Sequence, residues 1–94
     1  MAKRQYSEEK QASEQLLEKS ENQKFLILHN DDYHTFDYVI DALMDVCKHP
    51  QEQAVQCTYL IHYKGKADVK KGTYAFLKPM MNTLRTKDLK ATIE

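Results

Sequence analysis

The run His29-Asn30-Asp31-Asp32-Tyr33-His34 is the densest polar constellation in the chain. Two adjacent carboxylates and an amide stand there, and no Lys or Arg occurs between Lys24 and Lys48, so the run suits a positive partner. A primary ammonium group or a metal ion would satisfy it, and paired carboxylates can also do acid–base work. The plainer reading is a turn, since Asn and Asp side chains bond to nearby backbone and cap helices. Spacing alone leaves these readings open. For a metal, His29, Asp31 and His34 are acceptable ligand types and His62 could supply a fourth. No Cys-x-x-Cys or His-x-x-x-His spacing accompanies them, and the glycine and ordered acidic positions of a calcium loop are missing.

Other reactive side chains point to burial or solvation. Cys47 and Cys57 fall on the apolar faces of successive predicted helices, where a free thiol behaves as a small hydrophobe. No Ser or Cys sits in a nucleophile elbow. Lys64, Lys66, Lys70 and Lys71 form a basic cluster that suits a solvated face, and lysine on an edge strand also discourages sheet-to-sheet pairing.

The frame that must position these groups is small. The chain has 94 residues and an 11.1 kDa mass, room for one domain rather than two. Lys plus Arg total 14 and Asp plus Glu total 14, a zero net charge that argues against nucleic acid as a partner. Mean hydropathy is −0.73, and no apolar run approaches the roughly 20 residues of a membrane span. The first residues are charged and carry no apolar segment, unlike a secretory signal. With two cysteines, a reduced cytoplasmic protein is expected.

Residues 1–23 hold five Glu, four basic residues, three Ser and four Gln, and their larger hydrophobes are Tyr6, Leu16 and Leu17. Such a segment buries too little surface to offset its ordering entropy, so it is expected to be a flexible extension to a folded domain of residues 24–94. The apolar run Lys24 to His29 reads as a buried strand. Phe36, Val39, Ile40, Leu43, Met44 and Cys47 recur at helical spacing, with Thr35 as the cap. His49-Pro50 stops that helix. Pro50 suits the first turn of a second one, which carries Ala54, Cys57, Thr58 and Ile61 on one face and ends at Gly65. Lys66 to Lys71 is a weaker strand. Gly72-Thr73 opens a third helix, in which Pro79 implies a late start or a kink. Leu89, Ala91 and Ile93 alternate with polar residues as a closing strand. The order strand–helix–helix–strand–helix–strand predicts three strands with helices against one face, an α+β fold.

Asn30-Asp31-Asp32-Tyr33, then Tyr38-Val39-Ile40-Asp41, then His62-Tyr63-Lys64-Gly65-Lys66 resemble the ClpS family of adaptors, which feed N-end-rule substrates to AAA+ Clp proteases. The similarity runs from about Phe25 to Ala67 and, more weakly, from Leu89 to Glu94. It implies an α/β sandwich of a three-stranded antiparallel sheet and three helices, with no enzymatic activity and no cofactor or metal. It implies that Asn30, Asp31 and His62, supported by Asp32, grip the free α-amino group and adjoining backbone of an N-degron. Phe36, Val39, Thr58, Ile61 and Leu89 then correspond to the pocket for its bulky hydrophobic first residue. The implied partner is a ClpA- or ClpC-like AAA+ ATPase, served by a monomer, with neither nucleic acid nor membrane involved. Two alternatives remain: an ATPase-docking modulator of the same fold without degron selectivity, and a small metal-dependent hydrolase. The sequence departs from the family pattern in three places. His34-Thr35-Phe36 stands for the usual Thr-Pro-Met, Thr58 replaces a common methionine, and the stretch from Gly65 to Leu89 is about a turn and a half of helix shorter.

Overall fold

The computed structural model describes residues 22–94; of the expected N-terminal extension, residues 1–21 lie outside the described residues. Six elements follow in the predicted order: β1 (Lys24–His29), α1 (Phe36–Val46), α2 (Gln51–Lys64), β2 (Lys66–Gly72), α3 (Tyr74–Thr86) and β3 (Ala91–Ile93). The strands form an antiparallel sheet in the order β2-β1-β3. The central place of β1 explains its apolar run, because Leu26, Ile27 and Leu28 are all buried. Leu26 and Leu28 join Leu43, Ala54, Ile61, Leu77 and Leu84 in one core between the sheet and the helices. Among the described residues, no helix is long and apolar enough to cross a membrane.

Helix α1 starts where its cap dictates: the Thr35 hydroxyl accepts the Tyr38 N–H at 3.2 Å, and Asp37 lies in the positive first turn. Past its C-terminus, Lys48 takes a left-handed φ of 60°. Pro50 stands at the N-cap of α2 rather than in its first turn, and its carbonyl accepts the Ala54 N–H at 3.0 Å. Between β1 and β2 the register shifts at Leu26/Ile27, so that Val69 faces no β1 residue. A bulge of this kind frees a backbone group from the ladder. Here the Val69 carbonyl is met by buried His49, 2.6 Å from its Nε2.

Two expectations need correction. Helix α3 does not start late at Pro79; it begins at Tyr74, where the Thr73 hydroxyl accepts the Phe76 N–H. Pro79 lies inside the helix on its solvent side, and the carbonyl it leaves unpaired belongs to exposed Ala75, within reach of water. The closing strand starts at Ala91, not at Leu89. Asp88 takes a left-handed φ of 66°, and the Leu89 N–H bonds to the Leu84 carbonyl at 3.1 Å, which keeps Leu89 in the turn.

Gly65 ends α2 with a φ of 88°, its N–H on the Ile61 carbonyl and its own carbonyl accepting the Asn30 N–H at 2.8 Å. A Cβ there would touch nothing within 4 Å, so a side chain meets only the backbone penalty. Gly65→Ala should therefore lower unfolding stability by about 1–2 kcal/mol. Urea unfolding of the two proteins checks this, and an unchanged midpoint would contradict it.

Candidate functional site

The polar run lies where β1 hands over to α1, and two backbone bonds fix it. The His29 N–H bonds to the Lys90 carbonyl at 2.9 Å, and the Asn30 N–H bonds to Gly65. The end of the central strand is thus clamped between the end of α2 and the approach to β3. A cleft of about 220 Å³ opens beside it.

All nine residues singled out in the sequence line this cleft. Asn30, Asp31, Asp32 and His62 supply its polar wall, while Phe36, Val39, Thr58, Ile61 and Leu89 supply the apolar part. Ile61 and Leu89 are buried, so the floor is continuous with the core. The Phe36 ring sits edge-on to His62 at 5.1 Å and to Tyr59 at 5.2 Å, which places an aromatic corner on the side of α2. Thr58 is buried, and its hydroxyl donates to the Ala54 carbonyl at 2.7 Å. That donor is taken up by the helix and is not offered to the cleft.

The polar wall divides into groups that are engaged and groups that are free. Asp31 Oδ1 accepts the N–H of Tyr33 at 2.9 Å and of His34 at 2.8 Å, so it caps the turn as the plainer reading predicts. Its Oδ2 lies 3.0 Å from His34 Nδ1. Partial burial pushes the Asp31 carboxyl up, but the His34 backbone and ring and the Tyr33 N–H outweigh it and hold the carboxyl below its usual range. Asp31 is therefore ionised at neutral pH, and these contacts stabilise the loop until the pH falls through that depressed value. By contrast, the Asn30 amide, the Asp32 carboxylate and the His62 ring make no hydrogen bond to the described residues. They are available to a ligand.

The structure also places Leu28, His29, His34 and Thr35 in the lining, which the pocket assignment left out. Thr35 was legible only as a helix cap, and the two histidines only as metal ligands. His29 has turned toward β3, with Nε2 2.8 Å from the Thr92 hydroxyl. Burial first, then Lys90 and Lys66 against an opposing Glu94, lower its pKa, so it is neutral at physiological pH. Among the described residues, no three His, Cys, Asp or Glu side chains converge on a point that would hold a metal ion. The thiols are as expected: Cys47 is fully buried and burial pushes it up to about 11, while half-buried Cys57 is raised for the same reason.

Comparison with known proteins places this geometry in a family. The chain is 40% identical over 40 residues to the ATP-dependent Clp protease adapter protein ClpS of Oleidesulfovibrio alaskensis, covering 43% of this chain and 38% of that protein. It is 43% identical over 42 residues to ClpS of Salmonella gallinarum, covering 45% of this chain and 40% of that protein. The matched stretch spans about two fifths of the length of these relatives. In three dimensions the chain is similar to Agrobacterium tumefaciens ClpS2 bound to L-phenylalaninamide, with a TM-score of 0.68 and 20% identity over 78% of this chain and 95% of that one. That likeness shows a shared fold. The family model for the ATP-dependent Clp protease adaptor protein ClpS matches residues 19–92, and the chain accordingly belongs to the ClpS family.

Proposed function

We propose that this protein is an adaptor, not an enzyme, that holds polypeptides by a free α-amino group and a bulky hydrophobic first residue and delivers them to a Clp-type AAA+ ATPase. The carrying observation is the joining of two unlike surfaces in one cleft: polar acceptors that make no hydrogen bond to the described residues along one wall, and an apolar floor that opens onto the core. An α-amino group has an ordinary pKa near 7.7–8.0 and is largely cationic at neutral pH. Carboxylate and amide acceptors then contribute roughly 1.5–3 kcal/mol for each charge-assisted hydrogen bond. A neutral His62 can accept through one ring nitrogen. Seating a Leu or Phe side chain adds about 1.5–3 kcal/mol. Neither contribution outweighs the cost of association alone, so a buried hydrophobe or a lysine elsewhere in a protein is ignored. The amine-bearing, single-residue ligand of the Agrobacterium ClpS2 protein has both features, which supports the reading.

The direct test is calorimetry with Leu-initiated peptides that differ only in N-terminal acetylation. The free peptide should bind at least about tenfold tighter, the loss expected for one charged hydrogen bond. Equal affinities would sink the amine assignment and favour a docking module without degron selectivity. On this reading the protein acts as a cytoplasmic monomer with a ClpA- or ClpC-like partner.

Binding and delivery are assigned to different parts of the chain. The cleft is built from residues between Leu28 and Leu89, so a chain starting near Gln23 should bind degron peptides and melt like the full chain. The same truncated chain should fail to speed degradation of a Leu-initiated substrate by the partner protease, because the polar leading segment is assigned to handover. Peptide affinity and degradation rate, measured for both chains, check the division. Weaker peptide binding after truncation would overturn it.

A further inference from the structure

His34 is the least expected member of the cleft. Its side chain is only 10% exposed, although the flanking Tyr33 and Thr35 are exposed. Four neighbours surround the ring. Nδ1 lies 3.0 Å from Asp31 Oδ2 and 3.2 Å from Oδ1, and Nε2 lies 3.9 Å from Asp88 Oδ2. The ring stacks on Tyr38 at 4.7 Å with an interplanar angle of 19°, and Tyr33 meets it edge-on at 4.9 Å. Tyr38 is anchored in turn, because its hydroxyl donates to the Lys87 carbonyl at 2.6 Å.

A nitrogen facing both oxygens of an ionised carboxylate is favourable only as a donor, so the proton belongs on Nδ1. With Oδ1 held by two backbone N–H groups and Oδ2 held by the ring, the Asp31 carboxylate cannot rotate freely. It keeps unused acceptor capacity for a ligand, since an ionised carboxyl offers about four lone-pair sites. Asp88, just before Leu89 in the cleft wall, lies 3.9 Å from Nε2, beyond hydrogen-bond distance, and with the proton on Nδ1 no bond joins the two.

The geometry points to His34 as the positioning residue of this site: it locks the Asp31 carboxylate in one orientation, so that a ligand meets the acceptor already in place. This inference rests on the amine-binding reading of the cleft. A preset acceptor spares the ligand the cost of ordering it, which is a gain in affinity without a new contact.

A double-mutant cycle tests it, read as affinity for a free Leu-initiated peptide. His34→Ala should weaken binding by about fivefold to tenfold in the otherwise unaltered chain, the order of one hydrogen bond, and by almost nothing in an Asp31→Ala background. His34→Asn should recover most of the loss, because its amide nitrogen falls near the place of Nδ1. His34→Gln, whose amide nitrogen falls near the place of Nε2, should not. Thermal unfolding of each variant shows that it is folded, and the Asn variant keeps the test open where the Ala variant fails to fold. Independent, additive losses in the cycle, or an His34→Ala chain that binds like the unaltered one, would overturn the inference. If the unaltered chain binds free and acetylated peptides alike, the amine reading itself fails, a result distinct from the other two.

Discussion

Replacing Asp31 with alanine should weaken binding of a Leu-initiated peptide by roughly 1.5–3 kcal/mol, about tenfold to more than a hundredfold. The carboxylate serves two ends at once, because it faces the cleft and also caps the turn through the N–H groups of Tyr33 and His34. Alanine removes both roles. Asp31→Asn separates them, since the amide oxygen still accepts those two N–H groups while the charge is gone. If attraction for an ammonium group dominates, Asn should lose nearly as much affinity as Ala while melting closer to the unaltered protein. Calorimetry paired with thermal unfolding of both variants decides this, and an Asn variant with full affinity would mean that the charge is not used.

Thr58→Met should have the second large effect. Thr58 lines the cleft among buried neighbours, so a longer side chain there would take up space that a ligand needs. Overfilling a packed site costs about 1–3 kcal/mol, so a Phe-initiated peptide should bind roughly fivefold to more than a hundredfold more weakly. Thr58→Val is the control, because the lost hydroxyl bonds only to the Ala54 carbonyl of its own helix. Its peptide affinity should stay within about threefold of the starting value, under 1 kcal/mol. In the unaltered protein, peptides beginning with Phe or Leu should bind and those beginning with Val or Ile should not, since branching at Cβ crowds the mouth beside Phe36. An array in which Ile-initiated peptides match Phe-initiated ones would contradict this shape argument.

The elements were legible because their signals are local. The apolar run of β1, the three-and-four spacing of α1 and the cap-and-glycine bounds of α2 each lie within a few residues. Leu89 misled for a related reason: alternation with Ala91 and Ile93 mimics a strand, but the left-handed Asp88 and the bond from Leu89 to Leu84 are invisible to a two-residue period. Pro79 misled because its cost depends on whether the freed carbonyl can find water, which only the orientation of α3 decides. The nine cleft residues came from the family resemblance, not from spacing, since they are scattered from Asn30 to Leu89. What neither route supplied was engagement. That the Thr58 hydroxyl is spent inside its helix, and that His34 grips Asp31, follow from side-chain directions that one residue type does not determine.

The pairing of β3 with β1 gives the cleft a place in the life of the chain. Leu26 pairs with Ile93 and Leu28 with Ala91, so the central strand gains its second neighbour only from residues made some sixty positions later. Asn30, Asp31 and His62 all precede Leu89 and β3 in the chain, so during synthesis they emerge while one wall of the cleft is still missing. A nascent or prematurely broken chain would carry the polar groups without the enclosed floor beneath them. On the proposed reading, a chain finished through Ile93 is the form that could seat a bulky first residue.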